Sequence, residues 1–245
     1  MGKVIMSGIV PLLTKPSTGI LASSLAVGSV VKLMEGGTAV EYLVVNQGIP
    51  ENSSLYDSSC NGTWLLRKDL YSERQWNTSD VNKYETSAIN TWLNEDFFNG
   101  LGTIEQSTIK QVKIPYCVGN GTGNVNDGTN GLSTKIFLLG GYEVGWTNDD
   151  DDNFPVDGAK LSYFESGIGS SALNKRIAYL NGAALRWWLR SPYSRYEGNV
   201  WFVDTDGRYE SGGQGVTQSY GIRPALILPF TAKFDETTMI LKGAA

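Results

Sequence analysis

WWLRSP (residues 187–192) and GIRPAL (residues 221–226) bracket a stretch rich in Tyr, Ser, Gly, Asn and Asp. Each bracket sets one Arg and one Pro among apolar residues, the composition of a stiff, packed segment. The insert has the opposite character. Tyr offers a large contact area at low entropic cost, while Ser, Gly and Asn offer adaptable hydrogen bonding. The brackets read as scaffold and the insert as a surface meant to touch something.

The 245-residue chain is 41% hydrophobic and 11% aromatic, enough for a substantial core. Its formal net charge of -5 and scattered Lys and Arg argue against nucleic acid, because no basic stripe is present to neutralise phosphates. There is no histidine. That excludes Ser-His-Asp and Cys-His catalysis and the usual zinc-hydrolase ligand sets. Cys60 and Cys117 lack CxxC spacing; they pair if the fold joins them, or stand as buried thiols. The apolar residues 4–13 after Lys3 imitate a short signal peptide, but Gly8, Pro11 and Lys15 interrupt them, and an ordinary soluble segment is expected. No run is long enough to insert as a membrane helix.

Along the chain, residues 1–26 read as an extended arm, its first 24 as a docking segment, and residues 231–245 as a polar tail with a short strand at 239–241. A hairpin is expected over 29–34 and 39–46, turning at Glu35-Gly36-Gly37. Residues 64–67 read as a buried strand. Ile89, Leu93, Phe97 and Leu101 recur at helical spacing up to Gly100, and a second helix is expected over 103–111. Strand-like segments follow at 135–139, 161–164, 184–189, 199–204 and 222–228. Two helices followed by many short strands give α+β, not βαβ alternation.

The segments WLLR (64–67), SAINTWLN (87–94), KIFLL (135–139), WWLRSP (187–192), GNVWFVDTDG (198–207) and GIRPAL (221–226) resemble a C-type-lectin-like domain of the formylglycine-generating-enzyme type. The likeness looks strongest to a domain of unknown function of gut bacteria and phages. It implies a C-type-lectin-like fold over residues 27–230, with two helices packed on short, mostly antiparallel strands and long loops. The variable proteins of diversity-generating retroelements are similar in fold, and the resemblance maps their hypervariable surface onto residues 193–220. Formylglycine chemistry would need cysteines near the C-terminal core, where none stands.

The residues expected to bind a ligand are Tyr193, Arg195, Tyr196, Asn199, Trp201, Arg208, Tyr209, Glu210, Gln214, Gln218 and Tyr220. Arg190 and Arg223 are expected to fix loop geometry through buried hydrogen bonds. Asp149, Asp150, Asp151 and Asp152 lack the spacing of a calcium loop and read as a solvated turn. No catalytic residue, metal or cofactor is expected. The implied function is a phage-tail or surface adhesin that presents its C-terminal loops to a host-cell receptor, protein or carbohydrate. Sister subunits, with a homotrimer as one arrangement, and a place on a virion tail or extracellular surface go with that reading. A structural virion or surface protein is the alternative, and an oxidative enzyme on the same fold comes last.

Overall fold

Gly36 and Gly37 set the register of the first sheet. Val30–Glu35 and Thr38–Gln47 pair antiparallel with Glu35 opposite Thr38, so only the two glycines cross the turn. Their φ values of 52° and 83° are the left-handed pair that a tight two-residue hairpin requires. Thr63–Arg67, Ala225–Leu228 and Ile136–Phe137 extend this hairpin into a five-stranded antiparallel sheet. Both of its edges are covered. On the outer strand the Met34 N–H donates to Glu105 Oε1 at 3.0 Å, and the Lys32 N–H donates to the Met239 carbonyl. At the other edge Asn94 donates to the Ile136 carbonyl at 2.9 Å and accepts the Ile136 N–H at 3.2 Å.

The computed structural model describes residues 19–244. A second five-stranded sheet runs Gln214–Gly215, Asn199–Val203, Trp187–Pro192, Ser219–Gly221 and Glu73–Gln75. Its pairings are antiparallel except that of Trp187 with Gly221. Every residue of Trp187–Pro192 is buried, as is every residue from Val200 to Val203. The alternation expected at 199–204 therefore does not sort core from surface, because both faces of these strands are covered.

Residues 19–26 are not a free arm, and residues 231–244 are not a loose tail. Ile20–Leu21, Ala232–Phe234 and Leu241–Ala244 form a third sheet, with Ile20 opposite Phe234. Ala22, Leu25, Ala232 and Phe234 are buried, and Gln47 Nε2 donates to the carbonyls of Ala22 and Leu25. The rest of the expected docking segment, residues 1–18, lies outside the described residues.

The expected first helix begins at Ala88, capped by the Ser87 hydroxyl, and widens to π geometry over Leu93–Phe97. Its apolar residues recur every fourth position, whereas an α-helix has about 3.6 residues per turn; the wider turn keeps Leu93 and Phe97 on the core side. The second helix is Thr103–Thr108, and a third, Ser170–Arg176, was not expected. Residues 161–164 form a turn rather than a strand, with the Phe164 N–H donating to the Leu161 carbonyl. The chain is thus α+β, with more strand than helix.

Residues 138–164 contain no strand or helix of their own, and Arg190 holds them. Its five N–H donors meet five acceptors: the Pro115, Leu138 and Asp157 carbonyls and both oxygens of Glu143, the last at 2.6 and 2.8 Å. Tyr56 and the Gly140 N–H also donate to Glu143, and Ser191 donates to Asp157. Burial alone would lower the Arg190 value, but Glu143 and Asp157 override it and hold the guanidinium charged. Arg223 and Arg176 pair with carbonyls instead, and burial brings both to about 10.

Removing one partner from a buried ion pair strands the other, so Glu143→Gln should lower unfolding stability by about 3–5 kcal/mol, measured by urea denaturation. A loss under about 1 kcal/mol would mean that Arg190 does not anchor this segment. Asp157 gives a pH signature. Burial raises its carboxyl from 3.8 to about 6, against the opposing pull of Arg190 and Ser191. The folded state thus binds this proton more tightly than the unfolded chain does. The contribution is fully present below pH 3.8 and is lost as the pH rises through 6. Melting temperatures of the wild type and Asp157→Asn at pH 4 and 7 should therefore shift in the variant's favour at the higher pH.

Candidate binding face

The insert is built on the second sheet and divides its expected residues by depth. Arg195, Tyr196, Arg208, Glu210 and Gln218 are exposed, and Asn199, Tyr209, Gln214 and Tyr220 are half-buried. Two expectations are overturned. Trp201 is fully buried and Tyr193 nearly so, and neither presents a face to a ligand. Their rings instead root the surface in the core. Trp201 stacks on Phe154 at 3.8 Å, Tyr193 packs on Trp201 at 5.1 Å, and Tyr196 stacks on Tyr193 at 5.4 Å. Tyr196 ends this column with 59% of its surface exposed.

Asn82 fixes the loop that carries Tyr196. Fully buried, it donates to the carbonyls of Tyr196 and Asn199 at 2.7 Å each and to that of Tyr193 at 3.4 Å. Its Oδ1 accepts the Asn120 N–H at 2.6 Å, which ties in the hairpin of Tyr116–Gly119 and Thr122–Asn126. Gly119 takes φ 73° there, and a Cβ at that position would collide with the Asn82 backbone. All these bonds go to backbone atoms, so the Asn82 clamp itself does not depend on which side chains the loop carries. Nothing in the residue types around position 82 marked it.

The acidic run 149–152 buttresses the same face. Asp150 accepts the Thr147 N–H, and its carbonyl accepts the Tyr209 hydroxyl at 2.7 Å. Ser211 donates to Asp151, and Arg195 pairs with Asp152 at 2.8 Å. Burial, then Asp150 and Asp151, raise the Tyr209 phenol above its ordinary value. The Arg195 pair is largely solvated and contributes little stability.

A second cluster surrounds Arg186, which pairs with Asp204 at 2.9 Å and Glu210 at 3.1 Å and donates to the Tyr220 hydroxyl. Tyr220 in turn stacks on Trp188 at 4.4 Å. The hydrogen bonds that Arg186 donates to Asp204 and Tyr220 raise its guanidinium. Arg208 pairs with Asp206 beside the Asp206-Gly207 turn, and Asn199 Nδ2 donates to the Gly212 carbonyl. Gln214 lies on the edge strand opposite Val200, and Gln218 lies beside the Ser219–Gly221 strand. Of the eleven expected residues, Tyr193, Arg195, Tyr196, Asn199, Trp201 and Tyr209 gather around the Tyr196 column and its clamp, and Glu210 and Tyr220 gather around Arg186, while Arg208, Gln214 and Gln218 join neither.

Cys60 and Cys117 are unpaired thiols elsewhere in the fold. Each is buried, and burial pushes each to about 12. Among the described residues, no group of three or more His, Cys, Asp or Glu side chains is placed to hold a metal ion. No helix there is long and apolar enough to cross a membrane.

Fold and face together define an α+β domain with an aromatic-rooted, polar loop surface on its C-terminal strands. Residues 61–230 match the family described as a domain of unknown function, DUF6273, and the chain belongs to that family. No curated protein and no solved structure matches it.

Asn82→Ala should remove the clamp without altering any exposed residue. Hydrogen exchange should quicken at the amides of Asn120 and of residues 193–199 and stay unchanged in the first sheet. The expected stability loss is about 1–3 kcal/mol, because three carbonyls lose a buried donor.

Proposed function

We propose that this chain is a ligand-display module of C-type-lectin-like fold, an adhesin of a phage tail or cell surface that binds a host-cell receptor through residues 193–220. The observation that carries this reading is Tyr196: an exposed aromatic ring on a stack rooted in the core, on a loop clamped through its backbone. Rigid presentation of a large amphipathic side chain lowers the entropic penalty of binding. The backbone-only clamp also suits a surface whose side chains vary while its shape persists, as in the variable proteins of diversity-generating retroelements. The ligand is a protein or carbohydrate receptor. Residues 1–18 and sister subunits, in a homotrimer, supply the attachment to a larger assembly. The buried, protonated thiols of Cys60 and Cys117 offer no thiolate for oxidative chemistry.

A structural virion or surface protein, whose C-terminal face merely packs on neighbours, is the second reading. An Arg195→Ala/Tyr196→Ala variant separates the two. Its stability should stay within about 0.5 kcal/mol of wild type, as for exposed substitutions generally. Fluorescently labelled wild type should stain a subset of cells in a panel of gut bacteria, and the variant should lose that staining. Retained staining, or loss of assembly instead, would favour the structural role. Tyr209 and Tyr220 are poorer probes, since truncating either also removes packing on Trp201 or Trp188.

A further inference from the structure

Arg74 stands apart from the other arginines of the described chain. Arg67, Arg186, Arg190, Arg195 and Arg208 each pair with a carboxylate, and Arg176 and Arg223 donate to buried carbonyls. Among the described residues the Arg74 guanidinium has neither kind of partner. It is not loose, because its Cζ lies 4.1 Å from the centre of the Trp92 ring. Trp92 is itself wedged by Tyr71 at 5.3 Å and Phe97 at 5.7 Å. An exposed cation held in place, with its hydrogen-bonding edge unused, is arranged for an anion that comes from outside.

The surroundings of Arg74 narrow the choice of ligand. A groove of about 360 Å³ runs beside it, lined also by Gln75, Thr78, Ile89, Trp92 and Ser219. Ile89 and Trp92 give an apolar floor. The hydroxyls of Thr78 and Ser219 have no partner among the described residues. Gln75 uses its amide N–H on the Thr217 carbonyl at 2.8 Å and keeps its own carbonyl oxygen free. One cation among several neutral donors and acceptors fits a ligand with one negative charge, many hydroxyls and an apolar ring face. A polyanionic peptide would call for further Lys or Arg along the groove, and none lines it.

We infer that this groove is a saccharide subsite, in which Arg74 engages the carboxylate of an acidic sugar while Thr78, Ser219 and Gln75 meet its hydroxyls. The groove shares the Ser219–Gly221 strand with the C-terminal face and takes Ser219 from residues 193–220, yet Tyr196 does not line it. A planar guanidinium binds a carboxylate through paired, charge-assisted hydrogen bonds.

The test is calorimetric titration of the full chain with 3′-sialyllactose and with a glucuronate disaccharide, with lactose as the neutral control and tetraglutamate as the peptide control. The wild type should bind at least one acidic saccharide and bind lactose far more weakly. Arg74→Gln should weaken that binding roughly tenfold or more, as expected for losing hydrogen bonds to a charged group. Arg74 is exposed, so an unchanged melting curve would separate this loss from misfolding. Arg195→Ala/Tyr196→Ala should leave saccharide binding intact, which keeps this result distinct from the outcome for the display loop. Absence of binding to both saccharides would overturn the inference. So would equal affinity in Arg74→Gln, or tetraglutamate binding as tightly as the sugars.

Discussion

The buried Arg190–Glu143 pair is the contact on which most of the molecule leans. Two charges far from water are tolerable only when every donor and every lone pair nearby is occupied. Here five guanidinium donors and the hydrogen-bonded carboxylate come close to that condition. Because the acceptors come from Pro115, Leu138, Glu143 and Asp157, one side chain on the Trp187–Pro192 strand orders a region with no ladder of its own. That region carries Phe154 and the acidic turn, and both support the C-terminal face from below. Order at the surface therefore depends on a polar contact deep in the core.

The face itself separates shape from chemistry. Its loop is positioned through carbonyls and N–H groups by Asn82, and its column of rings is seated on Trp201 and Phe154. What remains outward, chiefly Arg195, Tyr196, Arg208 and Glu210, touches the scaffold lightly or through solvated ion pairs. Substitution at these outer positions changes what the face presents, while substitution at Asn82, Tyr193 or Trp201 changes where it is presented.

Much of this was readable from residue order, and the failures have specific causes. The Gly36-Gly37 hairpin could be read because so few residues accept left-handed φ twice in succession. The scaffold role of Arg190 and Arg223 followed from an Arg set near a Pro in an apolar run, and both are buried and donate to backbone carbonyls. The insert residues were located as a group, but their depth was not, since period-two alternation carries no information in a strand covered on both sides. Leu161 and Phe164 looked like a strand because they are apolar, yet they are core residues of a turn. Ser170–Arg176 was hidden by the flanking Gly and Ser residues, which read as loop. Asn82 left no trace, because a long-range clamp to backbone has no local pattern.

Consider, finally, the two capped edges of the first sheet. Glu105 and Asn94 occupy backbone positions that a neighbouring strand would otherwise take. A sheet finished in this way offers no template for another molecule's strand, and runaway fibre growth is blocked at both ends. A carboxylate and an amide side chain thus act here as terminators of the sheet.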